Sequence, residues 1–313
     1  MEMDLESVVR RFQEDGFVVV EDVVCDLERA KAGLREVLER GASSSTKGGV
    51  LDVFWEQWKL EVTLENEKYA LICRALLKET YAMRSGDFWH PHEGVDGDVH
   101  FHVDRVAHRA GGAGGDRALS PHLDCNPFDM YPEGRRWRPL QCLLSLQGGL
   151  EANEGGFECV KGFHKEFHSY PFQKNAGHGI DFYAIREPDL LKRFQHVKVP
   201  AGAALFWDRR IPHANARRND SIARQVIYGG FLPRGPKVNT DYAKDQRRRS
   251  RTGEPQPDFW TKATQQQHET KGLTDDYLAS LSPHAKHLLG ILNEEEEDFM
   301  LGSPPLEQQN RAP

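Results

Sequence analysis

The sequence lacks most of what would tie it to a membrane, a disulfide scaffold or a nucleic acid. No run approaches the roughly 18 apolar residues of a membrane span. Cysteine is sparse: Cys25, Cys73, Cys125, Cys142 and Cys159 are scattered, odd in number and without a CxxC pair. That excludes a disulfide framework and a zinc knuckle, and points to a reducing compartment. Positive charge is in deficit, 41 Lys and Arg against 48 Asp and Glu for a net charge of −7, so nothing global draws the chain to DNA, RNA or an anionic bilayer. The opening "MEMDLESVVRRF" carries no apolar signal stretch and "QQNRAP" is not a peroxisomal ending, so the expected location is cytoplasmic. There is no internal repeat. The 38% hydrophobic and 28% charged residues suit a soluble protein, read as a single domain over residues 1–313.

Three textures follow one another along the chain. A helical part spans about residues 1–87. "LESVVRRFQEDGFVVVEDVV" reads as an amphipathic helix, a turn at Asp15-Gly16 and a strand over 17–20. "DLERAKAGLREVLERG" is a helix with Asp26 as N-cap and Gly41 as stop, and a third helix runs through "NEKYALICRALLKETYAM". From about 88 to 235, short apolar or alternating runs such as "DVHFHVDRV", "PLQCLLSLQ" and "HVKVPAGAALFW" are separated by Gly, Pro, Asn and Asp. Strands without intervening helices indicate an antiparallel sandwich or barrel. From about 236 to 300 the chain turns helical and polar again, "TDDYLASLSPHAKHLLGIL" being its best helix.

Chemistry concentrates in the strand-rich middle. "SPHLDCNPFD" (120–129) sets His122 two residues before Asp124, and "DVHFHVDRV" does the same with His102 and Asp104. Residues i and i+2 of a strand share a face, so either pair could reach one ion. A lone HxD carries little weight, and each pair also reads as an ordinary strand with alternating polar residues. Iron(II) sites of the two-histidine, one-carboxylate kind need a third ligand from elsewhere. "LFWDRRIPHANARRND" offers His213. On the returning strand "IARQVIYGGF", Ile222, Arg224, Val226 and Tyr228 share a face, and an arginine on an apolar face calls for a fixed anion.

His122-Leu-Asp124, the distal His213 and Arg224 together resemble the motif of the phytanoyl-CoA dioxygenase-like family of Fe(II)/2-oxoglutarate-dependent oxygenases. "FQEDGFVVVEDVV" resembles that family's opening helix and strand, and "LSPHAKHLLGI" its closing helix. "GGFECVKGFHK" (155–165) resembles its "GG…PGSH" segment, with Lys161 and Phe163 in place of the usual Pro and Ser. The resemblance implies a mainly β fold with flanking α, a double-stranded β-helix (jelly-roll, cupin-like) barrel wrapped by N- and C-terminal helices. It selects His122 and Asp124 over His102 and Asp104, since "PLQCLLSLQGGLEANEGGF" continues as the family's first-ligand region does. It implies Fe(II) on His122, Asp124 and His213, with 2-oxoglutarate and O2 as co-substrates and room for stimulation by ascorbate. Arg224 is then expected to hold the far carboxylate of 2-oxoglutarate, with Gln141 and Asn215 as further contacts. An intact Asp124 implies hydroxylation, desaturation or ring closure rather than halogenation. The family also has peroxisomal members, which leaves that location open.

The expected organic substrate is a small, anionic metabolite or biosynthetic intermediate. Candidate contacts are Trp55, Trp89, His102, Arg105, Asn126, Arg209 and Arg210. Aromatic residues are more often packing anchors, and Asn126 before Pro127 is also good turn chemistry. "HRAGGAGGDRALS" (108–120) could close as a lid or form a plain surface loop, and Cys125 is expected to be inert. "DQRRRSR" (245–251) reads as a solvated charge cluster, so no nucleic-acid partner is expected. The alternatives are an oxygenase acting on a nucleic acid or protein side chain, and a non-catalytic metal-binding barrel. Oligomeric state is not legible.

Overall fold

The computed structural model describes residues 3–43, 48–112, 120–174, 179–220, 222–254 and 271–292. Its first helix, α1 (Leu5–Asp15), starts where the Asp4 side chain accepts from the Ser7 amide. It stops at Gly16, whose φ of 76° only glycine adopts cheaply. A Cβ there would also press on Ile211 and His164. β1 (Phe17–Val20) follows, then α2 (Leu27–Glu39), whose N-cap Asp26 accepts from the Arg29 amide. β2 (Val50–Leu51), α3 (Gln57–Thr63) and α4 (Glu67–Tyr81) complete the N-terminal part. Of "DVFWEQW" (52–58), α3 holds Gln57 and Trp58, while Phe54 and Trp55 precede it and are buried in the core.

The remaining strands are β3 (Val99–Arg109), β4 (His122–Leu123), β5 (Leu140–Gln147), β6 (Phe157–Cys159), β7 (Tyr183–Ala184), β8 (Gln195–Val197), β9 (Ala204–Asp208), β10 (His213–Asn215) and β11 (Arg224–Pro233), with the short α5 (Pro188–Leu191) between β7 and β8. They form a six-stranded sheet in the order β1-β9-β5-β11-β3-β2 and a five-stranded sheet in the order β7-β4-β10-β6-β8. Every pair described is antiparallel. Where a barrel was expected, no strand pair among the described residues joins the two sheets. The fold is mixed, with two antiparallel sheets. The edge strands β2 and β7 hold two residues each, too few to carry a ladder from one sheet to the other. β1 is the strand read over 17–20, and β2 adds a strand to the helical part that the sequence did not show.

Alternation along the strands of the large sheet builds two cores. Cys142, Leu144, Phe206 and Ile227 face α1–α4 in one cluster. Leu143, Leu205, Trp207 and Val226 face the small sheet in the other, with Leu123, Phe157 and Cys159. β5 and β9 are therefore buried on both faces. Each large side chain so buried contributes roughly 1.5–3 kcal/mol. α6 (Lys237–Thr252), α7 (Asp275–Ser280) and α8 (Pro283–Leu289) close the described chain. The single helix expected over 274–292 is two, because the Ser282 side chain caps a new start with Pro283 at its first position.

Candidate metal centre

β4 and β10 pair with His213 directly opposite His122, which brings ligands distant in sequence side by side. Their ring centroids lie 4.4 Å apart. His122 Nε2 is 3.5 Å from Asp124 Oδ1, and His213 Nε2 is 3.6 Å from Asp124 Oδ2. His122 Nδ1 bonds the Ser120 carbonyl at 2.7 Å, and His213 Nδ1 the Ile211 carbonyl at 2.9 Å. A carbonyl can only accept, so each Nδ1 is the donor and a neutral ring carries its lone pair at Nε2. Burial, with the neighbouring His213, pushes His122 down to about 4, so its ring is neutral near pH 7. Burial alone would raise the Asp124 carboxyl. The neighbouring His213 and His122 and the Arg138 charge outweigh that and hold it well below the usual carboxylate range.

Two imidazole nitrogens and a carboxylate thus converge on one point, all as electron donors, their ligand atoms within 4.8 Å of one another. That arrangement is costly in a buried site unless a cation lies at its centre. Ligands at right angles about 2.1 Å from one ion sit about 3 Å apart, so a slight contraction would seat a divalent metal. Two histidines and one carboxylate with open positions suit non-haem iron(II). The rings are fixed by packing: Phe157 stacks on His213 at 5.6 Å, Trp207 lies 5.4 Å from it, and Phe182 stacks on His122 at 5.4 Å.

The triad opens into a cavity of about 130 Å³ between the sheets. Arg224, the first residue of β11, shares the inward face of Val226 and Tyr228 and is 2% exposed. Its Nη1 donates to the Tyr228 hydroxyl at 3.4 Å, so the side chain runs forward along the strand within the cavity. No carboxylate pairs with it among the described residues. β5 is followed by Gly148, where φ is 75° and a Cβ would stand 3.0 Å from the Arg224 Cα. The close approach of Arg224 requires that glycine. Asn215 lines the same cavity, and its Nδ2 is a buried donor without an acceptor. Gln141 differs from expectation: its Nε2 donates to Asp124 Oδ2 at 2.5 Å, so it orients the carboxylate of the triad.

At the mouth, β3 carries one residue more than β11 between the pairs Val106–Ile227 and Val103–Gly229. This bulge at Asp104–Arg105 turns both side chains to the cavity. Asp104 is shared by Arg105 Nε and Arg138 Nη1, both at 3.1 Å, and despite burial it stays well below the usual carboxylate range. Beneath the bulge, fully buried Lys59 donates to the carbonyls of Val53 (2.8 Å), Phe54 (3.1 Å) and Asp104. Arg209, in the turn after β9, also lines the cavity. Arg138 was missed from sequence because Pro139 ends the alternation of β5 just before it.

Five candidates are not brought to the cavity. Trp55 is buried away from it and donates its Nε1 to the Glu254 carbonyl. Trp89 is 51% exposed and packs on Tyr131. His102 is buried and stacked on Tyr242, its basicity suppressed by burial and by Arg138 and Arg136. Asn126 caps a turn by accepting from the Phe128 amide. Arg210 is locked to Asp208, Nε to Oδ1 at 2.8 Å and Nη2 to Oδ2 at 2.7 Å, inside a buried cluster. Cys125 is buried, and burial pushes its thiol up to about 12. On α6, Arg248, Arg249 and Arg251 face Asp245, Glu254 and Asp275. Most of the loop considered as a lid, 113–119, lies outside the described residues. No helix among the described residues is long and apolar enough to cross a membrane.

The architecture is shared with solved structures. The GlcNAc-inducible protein GIG2 (DUF1479) of Candida albicans aligns with a TM-score of 0.70 at 16% identity, over 98% of this chain and 85% of that one. The hypothetical protein JW0805 of Escherichia coli gives 0.64 at 14% identity, over 92% and 84%. The epimerase SnoN, solved with Fe3+, alpha ketoglutarate and nogalamycin RO, gives 0.52 at 15% identity, over 87% and 96%. At these identities the likeness is one of fold. No protein-family model matches the sequence, and no curated protein matches it.

Proposed function

We propose that the chain is an Fe(II)- and 2-oxoglutarate-dependent oxygenase that oxidises a small organic substrate. In this reading it is a single domain on a phytanoyl-CoA dioxygenase-like double-stranded β-helix. The observation that carries it is the convergence of His122 Nε2, His213 Nε2 and the Asp124 carboxylate, with both Nδ1 atoms committed to backbone carbonyls. Iron(II) with 2-oxoglutarate and O2 would supply a hydrogen-abstracting oxidant, leaving succinate and CO2. The protein's part is orientation and exclusion of water. Gln141 fixes the aspartate, while Phe157, Trp207 and Phe182 fix the imidazoles and keep the site dry. Arg224 offers a buried guanidinium for the far carboxylate of 2-oxoglutarate, and Asn215 a buried amide donor. Five free cysteines are in keeping with a cytoplasmic, reducing setting. The test is iron-dependent succinate formation from 2-oxoglutarate in air. Wild type should form it, and His122→Ala or His213→Ala should not while keeping the fold by circular dichroism. A wild type that binds iron and forms no succinate with any acid offered would count against oxygenase activity.

A further inference from the structure

The cavity holds more positive charge than a 2-oxoglutarate site requires. Arg105, Arg136, Arg138, Arg209 and Arg224 line it against Asp104, Asp124 and Asp181. Asp124 belongs to the triad, Asp104 is divided between Arg105 and Arg138, and Asp181 lies 3.6 Å from Arg135. None of the three serves Arg209. That residue is 7% exposed, donates Nη2 to the Met130 carbonyl at 2.9 Å, and keeps a buried Nε–H with no acceptor. A guanidinium so far out of water without an anion is costly.

Its position separates it from Arg224. The Arg209 amide donates to the Pro139 carbonyl, at the start of β5. Arg224 lies against Gly148, just past the strand's end. Eight residues of β5 at about 3.3 Å each put the two backbones on the order of 25 Å apart. Arg224 reaches inward toward Tyr228, and Asp124 is tied to Gln141 near the Arg209 end. The metal triad is thus flanked by a cation on each side. The apolar part of the lining is Val50, Cys142, Leu143, Phe157 and Trp207, beside the polar Gln141, Asn215 and Tyr228 and the paired Asp104, Arg105 and Arg138.

We propose that Arg209 binds the carboxylate of the organic substrate, a small monocarboxylic acid with an apolar body. This rests on the oxygenase reading above, in which Arg224 is taken by 2-oxoglutarate. A carboxylate on Arg209 satisfies the orphaned Nε–H, and the apolar walls then hold the hydrocarbon part against the triad.

The experiment is anaerobic calorimetry on the full chain loaded with iron(II), with and without 2-oxoglutarate. The probes are linear C4–C8 monocarboxylates and phenylacetate, each with its primary amide and the alkyl phosphate of equal length. Wild type, Arg209→Gln and Arg209→Lys are compared. The expected result is that wild type binds at least one acid and prefers it to its amide and phosphate. Arg209→Gln should weaken that acid at least about tenfold, and Arg209→Lys at least about threefold because the planar fork is lost. Affinity for 2-oxoglutarate should stay within about twofold in both variants. If Arg209→Gln does not fold, Arg209→Lys decides by the same criterion. No acid binding in wild type, equal binding in the variants, or amides or phosphates binding as well as acids would each overturn the proposal. Acid binding through Arg209 without any 2-oxoglutarate binding would sink the oxygenase reading and leave the Arg209 site standing. Binding of 2-oxoglutarate with acids indifferent to Arg209 would do the reverse.

Discussion

Gln141→Leu separates two roles for one residue. The sequence reading assigned Gln141 to 2-oxoglutarate, whereas the structure turns its Nε2 onto Asp124 Oδ2 at 2.5 Å. A hydrogen bond to a charged acceptor contributes about 1.5–3 kcal/mol, and each 1.4 kcal/mol is about tenfold in affinity. Loss of the bond frees the aspartate to rotate, so iron(II) affinity should fall about 10–100-fold, in line with other residues that orient a ligand. The fold should tolerate the change. Leucine is close in volume, and the Oε1 it removes is a buried acceptor without a partner, so the loss of stability should not exceed the about 1.5–3 kcal/mol of the lost bond. Iron(II) is titrated anaerobically by calorimetry, and 2-oxoglutarate is then titrated into the metal-saturated protein. The account expects weakened iron binding and, at saturation, 2-oxoglutarate affinity within about threefold of wild type. Unchanged iron affinity with weakened 2-oxoglutarate would refute the reasoning and restore the direct contact.

Other expectations follow from buried groups around the site. Arg210→Met strands Asp208, which is fully buried and also accepts from the Tyr81 hydroxyl at 2.7 Å, so urea unfolding should show a loss of about 3–5 kcal/mol. Burial raises the Asp208 carboxyl but the Arg210 charge and hydrogen bonds outweigh it and hold it at about 2. Its folded value therefore lies below the unfolded one, so its stabilising effect of about 2 kcal/mol is complete above about pH 4 and lost as pH falls toward 2. An acid titration of wild type in which stability stays flat across that window would contradict the assignment. Lys59→Met keeps the apolar stem but leaves three carbonyls under the Asp104 bulge unpaired, for an expected loss of about 2–4 kcal/mol in the same assay. Trp89→Ala should change stability by no more than about 0.5 kcal/mol and leave 2-oxoglutarate affinity untouched, since Trp89 lies outside the cavity.

What could be read from sequence was what depends on local periodicity and capping. Asp4–Gly16 and Asp26–Gly41 bracket helices because a carboxylate that caps amides and a glycine that turns the chain act within a few residues. Period-two alternation put Arg224 on one face with Val226 and Tyr228, and that face is the inward one. His122, Asp124 and His213 came together by resemblance to a spacing; the pairing of β4 with β10 that unites them is non-local and left no mark on either segment. The same limit explains the misplacements. Alternation grouped His102 with Asp104, and the bulge two residues on, visible only as a register shift against β11, gives the cavity Asp104 and Arg105 instead. Arg209 and Arg210 look alike in sequence. Their roles diverge because the Arg210 guanidinium meets the Asp208 carboxylate, and Arg209 meets a single carbonyl and the cavity. Gln141 likewise reads as a 2-oxoglutarate contact until Asp124 is seen opposite it.

The central claim is that His122, Asp124 and His213 hold one iron(II) to which 2-oxoglutarate binds. It is tested most directly by adding 2-oxoglutarate to the iron(II)-loaded protein without oxygen and recording the visible spectrum of wild type and Asp124→Ala. The account predicts a weak charge-transfer band in wild type that saturates at one equivalent and is absent in Asp124→Ala. A well-folded, iron-loaded wild type that shows no band, or a band that survives in Asp124→Ala, would contradict it.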